Sequence, residues 1–294
     1  MPALQLLAPA KLNLGLEVLE RRSDGYHDIQ TVFLPLRLYD RIEIEPRTGG
    51  FRLDVGDSDL PEGEDNLIAR AARAACRALA APCDLSVRLQ KNIPVAAGLG
   101  GGSSDAAAVL LGIDRLSGGR LGGPRRAALA AELGADVPFF LEPVPAVGRG
   151  IGDRLEKLDG VPAMHWVLIA FPFGVSTPWA YRRASAELTL PREGSSIAAL
   201  LGPAGVSTPP RNDLEPAVGR LHPEIRRTRR ALERAGAAIT GMSGSGPTVY
   251  GRFASEGEAR TAASRMDLSS GARALVTSSP ASDAADWDWG VAKW

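Results

Sequence analysis

The chain has 294 residues, 45% of them hydrophobic and 23% charged, with Lys+Arg and Asp+Glu equal at 34 each. That length exceeds what one hydrophobic core usually serves, so two domains are expected, and the composition is that of an ordinary globular enzyme. Balanced charge gives no electrostatic ground for a nucleic acid or a membrane surface as partner, and no apolar run approaches the roughly 18 residues of a membrane-spanning helix.

The opening MPALQLLAPAKL lacks the basic start and apolar core of a secretory signal, which points to the cytoplasm. Residues 4–8, 12–19, 28–38 and 41–45 alternate or are rich in strand formers, and Ser23-Asp24-Gly25 is turn chemistry between the second and third. A helix is expected over 66–81, with Asp65 or Asn66 as its N-cap, followed by a strand at 85–89. Cys76 falls in that alanine-rich helix as a core filler; neither it nor Cys83 has metal-ligand spacing or makes a disulfide framework. A glycine-rich run then leads into a helix starting at Ser103, and a further helix runs from Pro124 to Leu133.

The Gly/Pro-rich stretch after Pro143 marks a transition, dividing the chain into 1–155 and 156–294. A buried strand at 166–171, a helix at 177–187, a loop at 201–210 and a basic amphipathic helix at 225–235 follow. Arg226, Arg227, Arg229 and Arg230 of that helix read as a solvated face. Strands at 237–240 and 248–253 flank a second glycine turn, residues 241–246, and a tail from 281 carries Trp287, Trp289 and Trp294 with little regular pattern. His165 and His222 lack metal-ligand spacing and read as structural. No repeats are present, and strands first with helices later make an α+β plan rather than a regular βαβ alternation.

Within PVAAGLGGGSSDAAA (94–108), Gly98, Gly100, Gly101 and Gly102 let the backbone approach a ligand with its N–H groups exposed. The helix that follows points its free N–H groups and positive end into the same space, so a phosphate is the natural occupant. A P-loop would need a Gly-Lys-Ser/Thr ending, and no lysine lies between Gly98 and Asp105. A dinucleotide site would need a strand-turn-helix in a parallel sheet and an acid about 20 residues on. A flexible linker does not normally lead straight into a helical run. Asp105, beside the phosphates, is expected to face outward as a helix-start charge.

Phosphoryl transfer asks a protein for positioning, neutralisation of phosphate charge and a group that orients or deprotonates the attacking hydroxyl. Asp136, a single acid in GADVPFF, is the best carboxylate, and Lys11, at the start of an apolar strand, the best cation. Each alone reads as well as a turn cap or a solvated lysine. Together with the loop they point to a kinase, with Lys11 keeping Asp136 ionised.

The run 94–108 resembles the second motif of the galactokinase, homoserine kinase, mevalonate kinase and phosphomevalonate kinase superfamily. PAKLNLGLEVLERRSDGYHDIQTVF, GADVPFF, the Glu64-Asp-Asn-Leu segment and GMSGSGPT extend the resemblance from about residue 8 to 253, and closely match the branch acting on 4-diphosphocytidyl-2-C-methyl-D-erythritol. The resemblance implies a two-domain α+β kinase using ATP and Mg2+, with an ATP-binding N-terminal domain, in non-mevalonate isoprenoid precursor synthesis. It implies Lys11 and Asp136 as the catalytic pair. Pro94, Gly98, Leu99, Gly100, Gly101, Gly102, Ser103, Ser104, Asn66 and Lys91 would lie at the nucleotide, with Ser103 or Ser104 on the metal. Asn13, Tyr26, His27, Thr177, Tyr181, Gly244 and Ser245 would lie at the substrate. Tyr26 and Tyr181 would supply stacking faces for a pyrimidine and His27 its polar edge; many relatives have phenylalanine at the Tyr181 position. The implied partner is a small-molecule substrate, cytidine diphospho-methylerythritol, bound by a monomer or homodimer. A homoserine or mevalonate kinase is the alternative, disfavoured by Tyr26-His27 because those substrates have no base. A non-catalytic nucleotide sensor is disfavoured by the presence of both Lys11 and Asp136.

Overall fold

Two long apolar stretches at the start of the chain form a single hairpin, β1 (Leu4–Arg21) and β2 (His27–Pro46), in a computed structural model. It describes residues 3–189, 197, 201–202, 205–206, 210–268, 271–284 and 290–291. The break expected between residues 8 and 12 does not occur. The β1–β2 register shifts between Pro9 and Ala10 instead, and an irregularity is where a residue without an N–H is tolerated within a strand. The turn closes through an Arg22 N–H donated to the Tyr26 carbonyl at 2.9 Å, with Gly25 at φ 88°.

β3 (Arg52–Asp54), α1 (Leu67–Ala78) and β4 (Leu85–Gln90) follow. Asn66 caps α1, accepting from the Ile68 N–H at 2.9 Å. Next come α2 (Gly101–Leu116), α3 (Gly122–Leu133), a short 3-10 turn at Pro138–Leu141, β5 (Ala146–Gly150), β6 (Arg154–Lys157) and β7 (Met164–Ala170). The second half adds α4 (Thr177–Ser185), the paired β8 (Leu201–Gly202) and β9 (Gly205–Val206), α5 (Glu215–Leu221), α6 (Pro223–Arg234) and β10 (Ile239–Met242). β11 (Val249–Phe253), α7 (Glu256–Ser264), β12 (Arg273–Ser279) and β13 (Gly290–Val291) complete it.

The first sheet has the order β13-β1-β2-β4-β3, with β5 on β2 and β6 on β5; the second is β10-β11-β7-β12. The middle of β1 is buried on both sides, which explains its loss of alternation. One core joins Leu6, Ala8 and Ile42 to α1, α2 and α3. Another joins Leu12, Leu14 and Leu34 to Trp166, Leu168 and Tyr250 of the second sheet. The hairpin is therefore shared by both halves. α2 sits close on the sheet: a Cβ at Gly112 would lie 2.7 Å from Ile44 Cδ1.

Cys76 is buried, and both cysteines are free thiols. The solvated face expected of α6 is only partly so. Arg229 turns inward to pair with Glu215 at 2.5 Å and to donate to Thr240 Oγ1 at 3.2 Å, because Glu215 offers a nearly buried carboxylate beside it. His222 stacks on Phe173 with ring centroids 4.1 Å apart. Trp287, Trp289 and Trp294, and residues 203–204 and 207–209 of the expected 201–210 loop, lie outside the described residues. Among the described residues no helix is long and apolar enough to cross a membrane.

Trp166 is fully buried, donates its indole N–H to Ser279 Oγ at 3.1 Å and meets the edge of Tyr250. Trp166→Ala is expected to lower unfolding free energy by about 3–5 kcal/mol, read from the urea midpoint. A loss below about 1 kcal/mol would show that the second sheet does not depend on this ring.

Candidate functional site

The glycine-rich loop is fixed at its root by Asp40. This carboxylate is fully buried and accepts from the backbone N–H groups of Asn92 at 2.6 Å and Ile93 at 2.9 Å. The chain then passes through left-handed backbone at Gly98 (φ 76°) and Gly100 (φ 71°). At both positions there is no room for a side chain. A Cβ at Gly98 would lie 2.5 Å from the Ser243 carbonyl oxygen, and one at Gly100 2.7 Å from Phe140 Cζ and 2.9 Å from Lys11 Cγ.

Because Gly100 already turns the chain, α2 starts at Gly101 rather than at the expected Ser103, and the Ser104 N–H bonds the Gly100 carbonyl at 2.9 Å. The first-turn N–H groups of Gly101, Gly102 and Ser103 consequently have no acceptor within the helix. Ser103 lines the adjoining cavity. Ser104 is 1% exposed, and its buried hydroxyl has no partner among the described residues. Leu99 packs its side chain in the core while its carbonyl accepts from the Lys11 N–H at 2.9 Å. Pro94 is half-buried where the loop begins.

Lys11 is buried, its ammonium 3.5 Å from Asp136 Oδ2, donating to Asn13 Oδ1 and lying 5.4 Å from the centre of the Phe33 ring. Asn13 is oriented in turn, donating to Thr31 Oγ1 at 3.0 Å, and Thr31 donates to the Gly15 carbonyl at 2.6 Å. Asp136 stands in the turn after α3, where the Val137 N–H bonds the Gly134 carbonyl; its side chain is 33% exposed, so the carboxylate reaches the cavity.

Ser243, fully buried, ties these pieces together. Its hydroxyl donates to the Gly98 carbonyl at 3.0 Å and accepts from the Asn13 N–H at 3.1 Å. Behind it Asn212 donates to the carbonyls of Met242 and Gly244, each at 2.8 Å. At Gly244 (φ 57°) a Cβ would sit 2.9 Å from Asn13 Oδ1.

A cavity of about 640 Å³ runs from Lys11, Asp136, Gly100 and Ser103 to Tyr26, His27 and Tyr181. Thr177 and Ser245 line it and share a hydrogen bond at 2.8 Å, joining α4 to the second glycine turn. His27 stacks on Tyr181 with centroids 5.4 Å apart and planes 17° from parallel. Tyr26, in contrast, stands 60% exposed at the rim. Burial, assisted by Arg21, holds the His27 imidazole below its ordinary value, so it is neutral near pH 7. Its Nε2 is buried and without a partner among the described residues. Burial, and then the Asp136 carboxylate, push the Tyr181 phenol up.

Asp105 does not face outward. It is 2% exposed and accepts from Lys91 Nζ at 2.9 Å, and Lys91 also pairs with Asp40. A buried ammonium between the Asp40 and Asp105 side chains holds the acid inside, where an outward turn would leave Lys91 with a single partner. Burial pulls the Lys91 ammonium down, but Asp105 and Asp40 outweigh it and hold it up; burial drives Asp105 to about 8 against the opposing pull of Lys91. Lys91 lies under the loop, its Nζ 3.0 Å from where a Gly101 Cβ would stand. Neither Lys91 nor Asn66 lines the cavity, and the Asn66 amide is engaged in its cap and in donating to the Pro61 carbonyl at 2.8 Å.

Sequence reasoning missed Ser243, Asn212, Asp40 and Thr31. Ser243 stood inside a motif already singled out, one residue before Gly244. The other three act through partners between 16 and 53 residues away, which spacing does not reveal.

The chain matches the family GHMP kinases N terminal domain over residues 66–142 and GHMP kinases C terminal over residues 194–271. It is 41% identical to a 4-diphosphocytidyl-2-C-methyl-D-erythritol kinase of Syntrophus aciditrophicus over 88% of this chain and 93% of that one. It is 44% identical to one of Geobacter metallireducens over 92% and 96%. A crystal structure of a 4-(cytidine 5'-diphospho)-2C-methyl-D-erythritol kinase superposes with a TM-score of 0.80 at 38% identity, covering 93% of this chain and 98% of the other. Homoserine kinase from Cytophaga hutchinsonii shares the fold at 20% identity, with a TM-score of 0.69 and coverage of 96% and 95%.

Gly98→Ala forces left-handed backbone on an L residue and drives its Cβ into the Ser243 carbonyl. A loss of about 1–3 kcal/mol in stability is expected, with turnover reduced at least about tenfold; wild-type values for both would show that the loop needs no such approach. Asp105 supplies a pH test. The folded chain holds its proton up to about pH 8, whereas the unfolded carboxyl releases it near its ordinary value of 3.8. The folded state thus binds the extra proton between those values, and this contribution to stability falls as pH rises through that window. Denaturation at pH 5 and at pH 8 should show wild type losing stability relative to Asp105→Asn; parallel curves would contradict a buried, proton-holding Asp105.

Proposed function

The chain belongs to the 4-diphosphocytidyl-2-C-methyl-D-erythritol kinase family of GHMP kinases, and we propose that it moves the γ-phosphoryl group of ATP onto the 2-hydroxyl of that substrate, in non-mevalonate isoprenoid precursor synthesis. The observation that carries this reading is the Lys11–Asp136 pair, 3.5 Å apart, between a phosphate-accepting helix start and a cavity ending in His27 and Tyr181.

The acceptor oxygen forms a bond to the γ-phosphorus as the bond to the β–γ bridging oxygen breaks, and the hydroxyl proton passes to the Asp136 carboxylate. Lys11, held by Asn13 and Asp136, places a fixed positive charge where negative charge gathers on the transferring group. The free N–H groups at the start of α2 receive the nucleotide's phosphate oxygens, and Gly98 and Gly100 keep the loop close to them. Lys91, beneath Gly101, has its charge balanced by Asp40 and Asp105 and supports the loop from below.

Magnesium neutralises phosphate charge when bound with the nucleotide. The donor on offer at the helix start is a serine hydroxyl, which suits an ion held mainly by phosphate oxygens. Ser103, which lines the cavity, would hold it rather than the enclosed Ser104. At the far end Tyr181 offers a ring face to the cytosine, His27 a polar edge, and Tyr26 a second ring at the rim. Thr177, Ser245 and Gly244 border the passage between the base and the reacting hydroxyl. The working form is a cytoplasmic monomer or homodimer.

A coupled ADP-release assay with the cytidine diphospho substrate, homoserine and mevalonate tests the reading. Turnover with the first is expected; turnover with homoserine or mevalonate alone would overturn it. Tyr26→Ala should raise KM for the cytidine substrate about tenfold, as loss of one stacking face implies, and leave KM for ATP nearly unchanged. A rise confined to ATP would reverse the assignment of the two ends of the cavity.

A further inference from the structure

Away from the Lys11 cavity, α5, α6 and the segment entering α5 enclose a cleft of about 570 Å³. Its lining includes Arg211, Arg220, Arg226, Arg229 and Arg230, and none of its described lining residues borders the Lys11 cavity. The whole chain carries no net charge, so this is a local concentration of cations. Three of the five are matched within the fold: Arg211 with Asp213 at 2.6 Å, Arg220 with Glu187, and Arg229 with Glu215 at 2.5 Å. The second acid of the cleft, Glu233, also falls to Arg229, at 4.0 Å.

Arg226 and Arg230 remain. Both are exposed, and neither has an ion pair among the described residues. They stand four residues apart on α6, so they project from the same face with their Cβ atoms about 5–6 Å apart. Like charges on such neighbours repel unless an anion lies between them, and guanidinium groups engage phosphate oxygens two at a time. The surroundings are stiff. Pro210 and Pro216 form part of the wall, and Asn212, 7% exposed, is held by two hydrogen bonds to the second glycine turn. A rigid concave site with two unmatched guanidinium groups suits a small ligand of high charge density better than a flat partner surface.

We propose that this cleft is a second anion site, taking a small ligand with a diphosphate or two neighbouring phosphate groups, gripped by Arg226 and Arg230. Asn212 connects its floor to the turn bearing Gly244, so the ligand sits directly behind the wall of the Lys11 cavity.

The test is calorimetric titration of inorganic diphosphate into the protein saturated with ADP, which occupies the phosphate loop. Saturable binding is expected to persist under ADP. It should weaken at least about tenfold in R226Q/R230Q, which loses the charge-assisted contacts, and stay at the wild-type level in R227Q, whose exposed arginine does not line the cleft. Kinase turnover of R226Q/R230Q without diphosphate should match wild type and so report an intact fold. Two results would overturn the proposal: no saturable binding in the ADP-loaded protein, or equal binding by wild type and R226Q/R230Q.

Discussion

A single buried hydroxyl, that of Ser243, holds the phosphate loop and the lysine strand in one geometry. It donates to the Gly98 carbonyl in the loop and accepts from the Asn13 N–H in β1, while its own backbone belongs to the second glycine turn. Three segments, separated by as much as 230 residues, meet at this oxygen. The approach it enforces is so close that Gly98 and Gly244 have no space for a methyl group. Gly98 is therefore explained by packing of backbone on backbone and Gly244 by the Asn13 side chain against it, and the same packing sets Lys11 at the mouth of α2. Catalysis by positioning needs this kind of rigidity, because misplacement of about 1 Å forfeits much of the rate.

Charge is arranged around the loop on similar terms. Asp40 fixes the loop's root through two backbone N–H groups, and its pairing with Lys91 keeps an ammonium below Gly101. Asp105 completes the arrangement from within α2. Burying three ionisable groups costs free energy that a hydrophobic replacement would save. Its effect is mechanical: Lys91 joins the loop's root, through Asp40, to the first turns of α2, through Asp105.

Much of the fold was legible because its signals are local. The strand alternation, the Asn66 cap and the glycine turns each follow from neighbours in sequence, and α1, α2, α3, α4 and α6 appear close to where the pattern places them. The helix start moved from Ser103 to Gly101 because Gly100 takes a left-handed conformation that propensity does not specify. α5, α7, β3, β5, β6 and β12 were not anticipated; α5, of 7 residues, and β3, of 3, offer too short a pattern to read. In the site, Lys11 and Asp136 were readable as lone charges in apolar runs and do meet. Asp105 was misjudged because its partners, Lys91 and Asp40, are tertiary neighbours. His27, expected at the polar edge of the base, stacks on Tyr181, since β2 begins at His27 and carries its ring inward while Tyr26 stays in the turn.

The chemistry rests on Asp136 receiving a proton beside Lys11, in a site that binds the nucleotide through the loop. Single-turnover phosphoryl transfer by Asp136→Asn, with nucleotide affinity measured on the same protein, addresses this most directly. The expected result is a rate lower by about a thousandfold or more, with ATP bound nearly as tightly as by wild type. A rate within about tenfold of wild type, or a loss confined to ATP binding, would contradict the role assigned to Asp136.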